Sequence, residues 1–251
     1  MRSSTSPRRV LFFASLVAAA GFLIEPASTQ DISINLGQGN GGVTERAIQL
    51  IALLTVLSIA PSILVMMTSF TRIVVVLSLL RTALGTATAP PNSVIIALAL
   101  FLTGFVMGPT LQQSYDNGIK PLVANEITVE QALERAGGPL RGFMQKNVRE
   151  KDLKLFMDLS GEPPPATPEQ MSMRILIPAF MISELKRAFE IGFLLFLPFL
   201  IIDLVVASVL MSMGMMMLPP VVVSLPFKLI FFVLVDGWSL VAGSLVQSYG
   251  G

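Results

Sequence analysis

The sequence contains no cysteine and no histidine. Without thiols there is no disulfide, no thiolate nucleophile and no cysteine-based metal centre. Without imidazole, the usual general base, the commonest metal ligand and the side chain that titrates near neutral pH are all missing. Charge is scarce as well: 13% of the 251 residues are Asp, Glu, Lys or Arg, against roughly 25% in soluble domains. The net charge of +1 gives no electrostatic footprint for nucleic acid. No H-E-x-x-H and no G-x-S-x-G occurs, which removes the zinc-protease and serine-hydrolase signatures. No cofactor motif stands out, and the chain reads as a non-enzyme.

What is abundant is apolar surface. Hydrophobic residues make up 53% of the chain and mean hydropathy is +0.74. An all-α integral membrane protein follows, because backbone polar groups in lipid must be satisfied within helices or closed barrels.

Residues 1–30 have the layout of a secretory signal peptide. Arg8 and Arg9 precede the short apolar run Val10–Ile24, and Pro26, Ala27 and Ser28 offer a cleavage region between Ala27 and Gln30. Residues 31–44 are polar and glycine-rich, a flexible N-terminal segment. Residues 45–110 form a first helical hairpin: Arg46–Met67 and Ile73–Leu80 on one side of a proline-containing loop, Val94–Pro109 on the other. Arg72 and Arg81 sit near that loop with no acid, so the positive-inside rule turns the loop to the cytoplasm. Residues 111–174 then fall outside, as an extramembrane (periplasmic) helical domain. Thr128 with Glu130 and Gln131 starts a helix there that Gly137-Gly138-Pro139 is expected to end; Leu140–Leu159 is a second helix, broken by Gly161 and Pro163–Pro165.

Residues 175–251 form a second hairpin around the run Met211–Pro220, in which five of ten residues are methionine and Met215, Met216 and Met217 are consecutive. Methionine is flexible and polarizable, Gly214 loosens the backbone and Pro220 ends helical continuity from within. Such a loop suits a compliant apolar constriction.

Seven ionisable groups lie among the apolar residues of this hairpin: Glu184, Lys186, Arg187, Glu190, Asp203, Lys228 and Asp236. Each costs roughly 2.5–3.5 kcal/mol at a bilayer centre by insertion scales, so they must face protein, water or the region beyond the hydrocarbon. Helical spacing groups Glu184, Lys186, Arg187 and Glu190 on one arc, with Lys186–Glu190 and Glu184–Arg187 spaced as pairs. Lys228 needs a carboxylate. Asp236 is eight residues, about 12 Å, away on the same helix, which leaves Glu184 and Asp203. The expectation is a Glu184–Lys228 ion pair between neighbouring subunits, with Asp203 as the other choice.

Two blocks are distinctive as whole strings. SFTRIVVVLSLLRTALGTATAPPNSVIIALALFLTGFVMGPT begins at Ser69. SELKRAFEIGFLLFLPFLIIDLVVASVLMSMGMMMLPP begins at Ser183 and is followed by LPFKLIFFVLVDGW. Both resemble the FliP family of bacterial flagellar export proteins, which has injectisome counterparts. The resemblance implies helical hairpins that assemble into a helically wound export-gate pore: five copies with one FliR, FliQ around them, and FlhA and FlhB on the cytoplasmic side. It implies an inner-membrane location in the flagellar basal body and unfolded flagellar subunits as cargo. It also implies that Met215, Met216 and Met217 act as a pore gasket. Read from the residues alone, a secondary transporter or proton conductor remains the other possibility, because Asp203 and Asp236 are intramembrane acids.

Overall fold

The structure is a computed structural model. It describes residues 48–250 apart from 49, 52–53, 56–57, 60–61, 63–64, 87, 162–166, 168–169 and 216. The expected signal peptide (1–30), the flexible segment (31–44), Met216 and the triple proline 163–165 lie outside the described residues. The chain divides into two units, Met1–Ile51 and Ala52–Gly251; the fold below is that of the second.

The described residues between 54 and 66 are helical. Eight α-helices follow. α1 is Phe70–Ala83, α2 Asn92–Ser114, α3 Lys120–Val123, α4 Val129–Asn147, α5 Glu150–Ser160, α6 Met173–Ser212, α7 Pro220–Leu234 and α8 Gly237–Gly250. One π-helical turn, Tyr115–Ile119, joins α2 to α3. Among the described residues two stretches, Asn92–Val123 and Met173–Ser212, are long and apolar enough to cross a membrane, and α7 with α8 forms a third if the pair, bent by 63°, counts as one.

α1 lies along α6, and α2, α7 and α8 pack around the two. Their shared core holds Ile73, Val76, Leu77 and Leu80 of α1 against Ala99, Ala188, Phe199, Phe232 and Leu245. Gly192 lets α1 approach α6, since a Cβ there would run into the Leu79 side chain. A second core, with Met107, Leu140, Met144, Leu176 and Phe180, joins α4 to α2 and the start of α6.

α6 is one continuous helix of 40 residues through Pro178 and Pro198. At 1.5 Å per residue it is about 60 Å long, twice the roughly 30 Å hydrocarbon thickness. It therefore packs against α4 and α5 near its start and against α7 further on, and the expected boundary at residue 174/175 falls just inside its first turn.

Helix α4 departs from expectation. Its start is as read: Thr128 and Gln131 form a capping box. It does not stop at Gly137-Gly138-Pro139 but continues to Asn147. Ala132, Leu140 and Met144 are buried at helical spacing on both sides of that tripeptide. Burying Leu140 and Met144 is worth about 1.5–3 kcal/mol each and the Ala132 methyl about 0.8, comparable to the cost of two glycines at about 1 kcal/mol each and a proline at about 3. The break comes at Val148 and Arg149, both extended. α5 ends as the glycine predicts, at Gly161 with φ +65°.

The π-helical turn brings Gly118 against α4. A Cβ at 118 would meet Ala132 O at 2.6 Å, Ala136 Cβ at 2.6 Å and Ala136 N at 2.9 Å. Backbone atoms cannot step aside as a side chain can. Gly118→Ala is therefore expected to destabilise the protein by about 1–3 kcal/mol. Gly138→Ala, where nothing lies within 4 Å, should be neutral or stabilising by up to about 1 kcal/mol. Thermal unfolding of both variants in detergent checks the contrast.

Candidate functional site: paired charges and a methionine loop

The SELKRAFE stretch, residues 183–190, lies in the first half of α6, and its face is not the one the spacing predicts. Ser183, Glu184 and Ala188 are buried, whereas Ile182, Phe189 and Phe193 are exposed. The inward side of this stretch is thus polar where it meets a charge on α1, and much of its outward side is apolar.

That charge is Arg72. Both Arg72 and Glu184 are fully buried. The guanidinium grips the carboxylate through two atoms: Nε donates to Oε2 at 3.0 Å, and Nη2 pairs with Oε1. Nη1 donates to Ser248 Oγ at 2.9 Å. The guanidinium carbon sits 3.8 Å from the Tyr249 ring centroid, and the Tyr249 hydroxyl donates to Glu184 Oε2. Phe143 stacks on the Tyr249 ring, with the two centroids 5.8 Å apart. The cluster thus ties α1, α6, α8 and α4. Arg72 is not a loop charge that sets topology, as the sequence suggested. Of the two arginines only Arg81 serves the loop, donating from Nη1 to Asn92 Oδ1 at 2.6 Å and to Pro90 O at 3.2 Å.

Lys228 takes the second choice. Its ammonium lies 2.6 Å from Asp203 Oδ2 and 3.4 Å from Ala83 O, so it also meets the carbonyl end of α1. Ser224 Oγ donates to Asp203 Oδ1 at 2.5 Å. Lys228 is buried, and Asp203 is 31% exposed. The expected Glu184–Lys228 pair is therefore corrected: each residue has another partner inside the chain. The reason is length. Asp203 lies 19 residues beyond Glu184 on α6, about 28 Å along the axis, and the α6–α7 turn brings Lys228 to the Asp203 level.

The remaining four of the seven charges are not buried in this chain. Lys186, Glu190 and Asp236 are exposed, and Arg187 is half-buried. Lys186 Nζ and Glu190 Oε1 are 3.4 Å apart, the pair that the i,i+4 spacing predicts. Glu184 forms no pair with Arg187, because Arg72 holds it.

Beyond Asp203 the hairpin carries no charged residue until Lys228. Val205, Val209, Val223 and Phe227 help line a groove of about 460 Å³ between α6 and α7. The turn follows. Gly214 has φ +73°, Met215 is half-buried and Met217 is 99% exposed. Met216 is not described.

The α4–α5 break is held from α6. The Arg149 N–H donates to Ser183 Oγ at 3.0 Å. That hydroxyl donates to Asp152 Oδ2 at 2.7 Å, with Ala179 O at 2.8 Å as its other acceptor. Arg149 binds both Asp152 oxygens, Nε at 2.8 Å and Nη2 at 2.9 Å. Those bonds hold the Asp152 carboxyl below the usual carboxylate range, against the opposing cost of burial, and raise Arg149 in turn.

A match to the FliP family model covers residues 53–245. The chain belongs to the FliP family. It is 60% identical over 243 residues to the flagellar biosynthetic protein FliP of Caulobacter vibrioides, covering 96% of this chain and 91% of that protein. It is 50% identical over 246 residues to the protein of that name from Cereibacter sphaeroides, covering 97% and 82%. The Bacillus subtilis protein of the same name is 55% identical over 202 residues, covering 80% and 91%.

Sequence reasoning missed Arg72, Ser224 and Tyr249. A lone arginine in an apolar run was a usable signal, but its partner lies 112 positions away and no local pattern names it. Removing one member of a buried pair strands the other, at about 3–5 kcal/mol. Arg72→Leu or Glu184→Leu alone should lose stability on that scale, and the double variant should regain most of it; denaturation in detergent measures the cycle. A depressed aspartate contributes stability that is complete above its unfolded pKa, about 3.9. That stability is lost as pH falls through the lower folded value. Asp152→Asn should therefore cost about 1–3 kcal/mol at pH 7 and flatten the fall in stability on acidification, as unfolding midpoints at pH 7 and pH 3 would show.

Proposed function

We propose that this chain is a core pore-forming subunit of the flagellar type III export gate, passing unfolded flagellar subunits across the bacterial inner membrane. Family membership supports the flagellar role, as does the name flagellar biosynthetic protein carried by its relatives. The single observation that carries the pore reading is the hairpin tip. A glycine hinge presents Met217 fully exposed at the end of two apolar helices whose register Asp203 and Lys228 fix. A thioether side chain left wholly uncovered suits a seal that closes only when several copies meet.

In this reading about five copies wind with FliR into a closed assembly, FliQ lies outside it, and FlhA and FlhB join from the cytoplasm. Residues 1–30 act as a removable leader, and the helical domain of residues 111–174 stands on the outer side within the basal body. Met215, Met216 and Met217 line the constriction. The apolar faces of α2 and α6, with Phe101, Phe105, Phe189 and Phe193 exposed, supply surface for lipid and neighbours. Of the two acids behind a proton-relay reading, Asp203 is closed into a pair with Lys228 and Asp236 is exposed at the turn between α7 and α8, so the two do not form a chain.

Replacing Met215, Met216 and Met217 together by alanine shortens the tip without adding charge. The expected outcome is an assembly of normal size that leaks small ions while export continues at least in part. Ion flux across vesicles holding the purified complex measures the leak. A normally assembled variant with unchanged permeability would show the methionines to be packing material only.

A further inference from the structure

Two exposed charged features stand in apolar surroundings and have opposite sign. The first is the outward face of α6. Lys186 and Glu190 are exposed, Arg187 beside them is half-buried, and Phe189 and Phe193 flank them, also exposed. The three charges sum to one positive charge. Glu190 also lies in the field of Arg149, so Lys186 is held only by an exposed i,i+4 contact at 3.4 Å. Such a contact is worth a few tenths of a kcal/mol, so Lys186 is free to take another partner.

The second feature is Asp236, at the turn between α7 and α8. Its φ is +49°, a left-handed conformation uncommon outside glycine. The turn bends the two apolar helices by 63°, and Asp236 is exposed between Leu234 and Trp238, which are exposed too. A single carboxylate facing hydrocarbon costs several kcal/mol, so a protein cation or water must meet it.

These features belong to different sides of the molecule. Helical spacing at 100° per residue places Lys186 and Glu190 on the opposite side of α6 from Glu184, Ala188 and Phe199, which face α1 and the core. Asp236 lies on the hairpin that packs against that core side. The contact they can make between copies is therefore head-to-tail and not two-fold. The Asp203–Lys228 pair also sets an axial level. Eight residues past Lys228, Asp236 reaches the level of Leu195, about 14 Å along α6 from Lys186. A neighbour must be displaced along the axis for the two to meet, and a displaced head-to-tail contact winds instead of closing flat.

We propose that Asp236 of one copy docks on the Lys186–Arg187–Glu190 face of α6 in a second copy. The proposal rests on the pore-subunit reading and names the contact that sets its winding.

The chain has no native cysteine, so the test needs no background removal. Lys186→Cys and Asp236→Cys are placed on separate, differently tagged copies and co-expressed with the other export components. Oxidation should yield a crosslinked dimer carrying both tags, abolished by reductant and absent when either variant is expressed alone. Charge reversal gives an independent arm. Lys186→Asp or Asp236→Lys alone should cut the amount of large complex at least tenfold, and the two reversals in one chain should restore at least half of it. A complex of normal size with no mixed crosslink would overturn the contact and leave the pore reading intact. So would single reversals that assemble normally, or a double reversal that restores nothing. If the unaltered chain forms no large complex under the same conditions, the pore reading itself fails.

Discussion

Taking a guanidinium and a carboxylate out of water costs several kcal/mol per ion, and their attraction offsets this only when geometry is good and the remaining donors are satisfied. Arg72 and Glu184 meet both conditions. The fork of Arg72 takes both carboxylate oxygens, Ser248 takes a further donor, and the Tyr249 ring and hydroxyl close the remaining side. Few neutral pairings could hold four helices at one point with comparable directionality. α1 has its place along α6, and α8 folds back onto both, because this cluster has one arrangement in which no charge is left alone. The apolar core around Leu80, Phe199 and Leu245 supplies more energy, but its contacts are tolerant of small slides, whereas the ion pair is not.

The same logic recurs further along α6 with different consequences. Asp203 and Lys228 pair across the hairpin, and Ser224 satisfies the other Asp203 oxygen. Asp203 keeps partial exposure, so this second pair is less demanding than the first. It fixes the register of α6 against α7 and hence the point at which the methionine turn stands. Beyond it the hairpin has an apolar groove, no further charge and a glycine hinge. Rigidity is thus concentrated at the charged levels and compliance at the tip, the order that the proposed seal requires.

α4 and α5 are coupled to this frame by one serine hydroxyl in addition to the second core and the Phe143–Tyr249 stack. Ser183 sits one residue before Glu184 and receives the Arg149 amide while bonding Asp152. A change at the α4–α5 break is therefore felt one residue away from the central ion pair. α6, about 60 Å long by its residue count, carries both contacts on a single rod.

How much of this was legible beforehand depended on distance along the chain. Composition and apolar run length determined the helical membrane class, because backbone groups in lipid leave few alternatives. The Thr128 capping box, the glycine stop after α5 and the Lys186–Glu190 pair were readable because each involves residues within four positions. The two long blocks from Ser69 and Ser183 determined the family, since such strings carry more information than any propensity. Tertiary structure decided the rest. Gly137-Gly138-Pro139 stayed helical because Leu140 and Met144 had a core to enter. Arg72, read as a loop charge, turned inward because Glu184 was waiting on a helix more than a hundred residues later. Lys228 chose Asp203 over Glu184 because α6 is one unbroken helix that sets the two acids about 28 Å apart. In each case the deciding partner was remote in sequence, and only the packed chain could bring it within bonding distance.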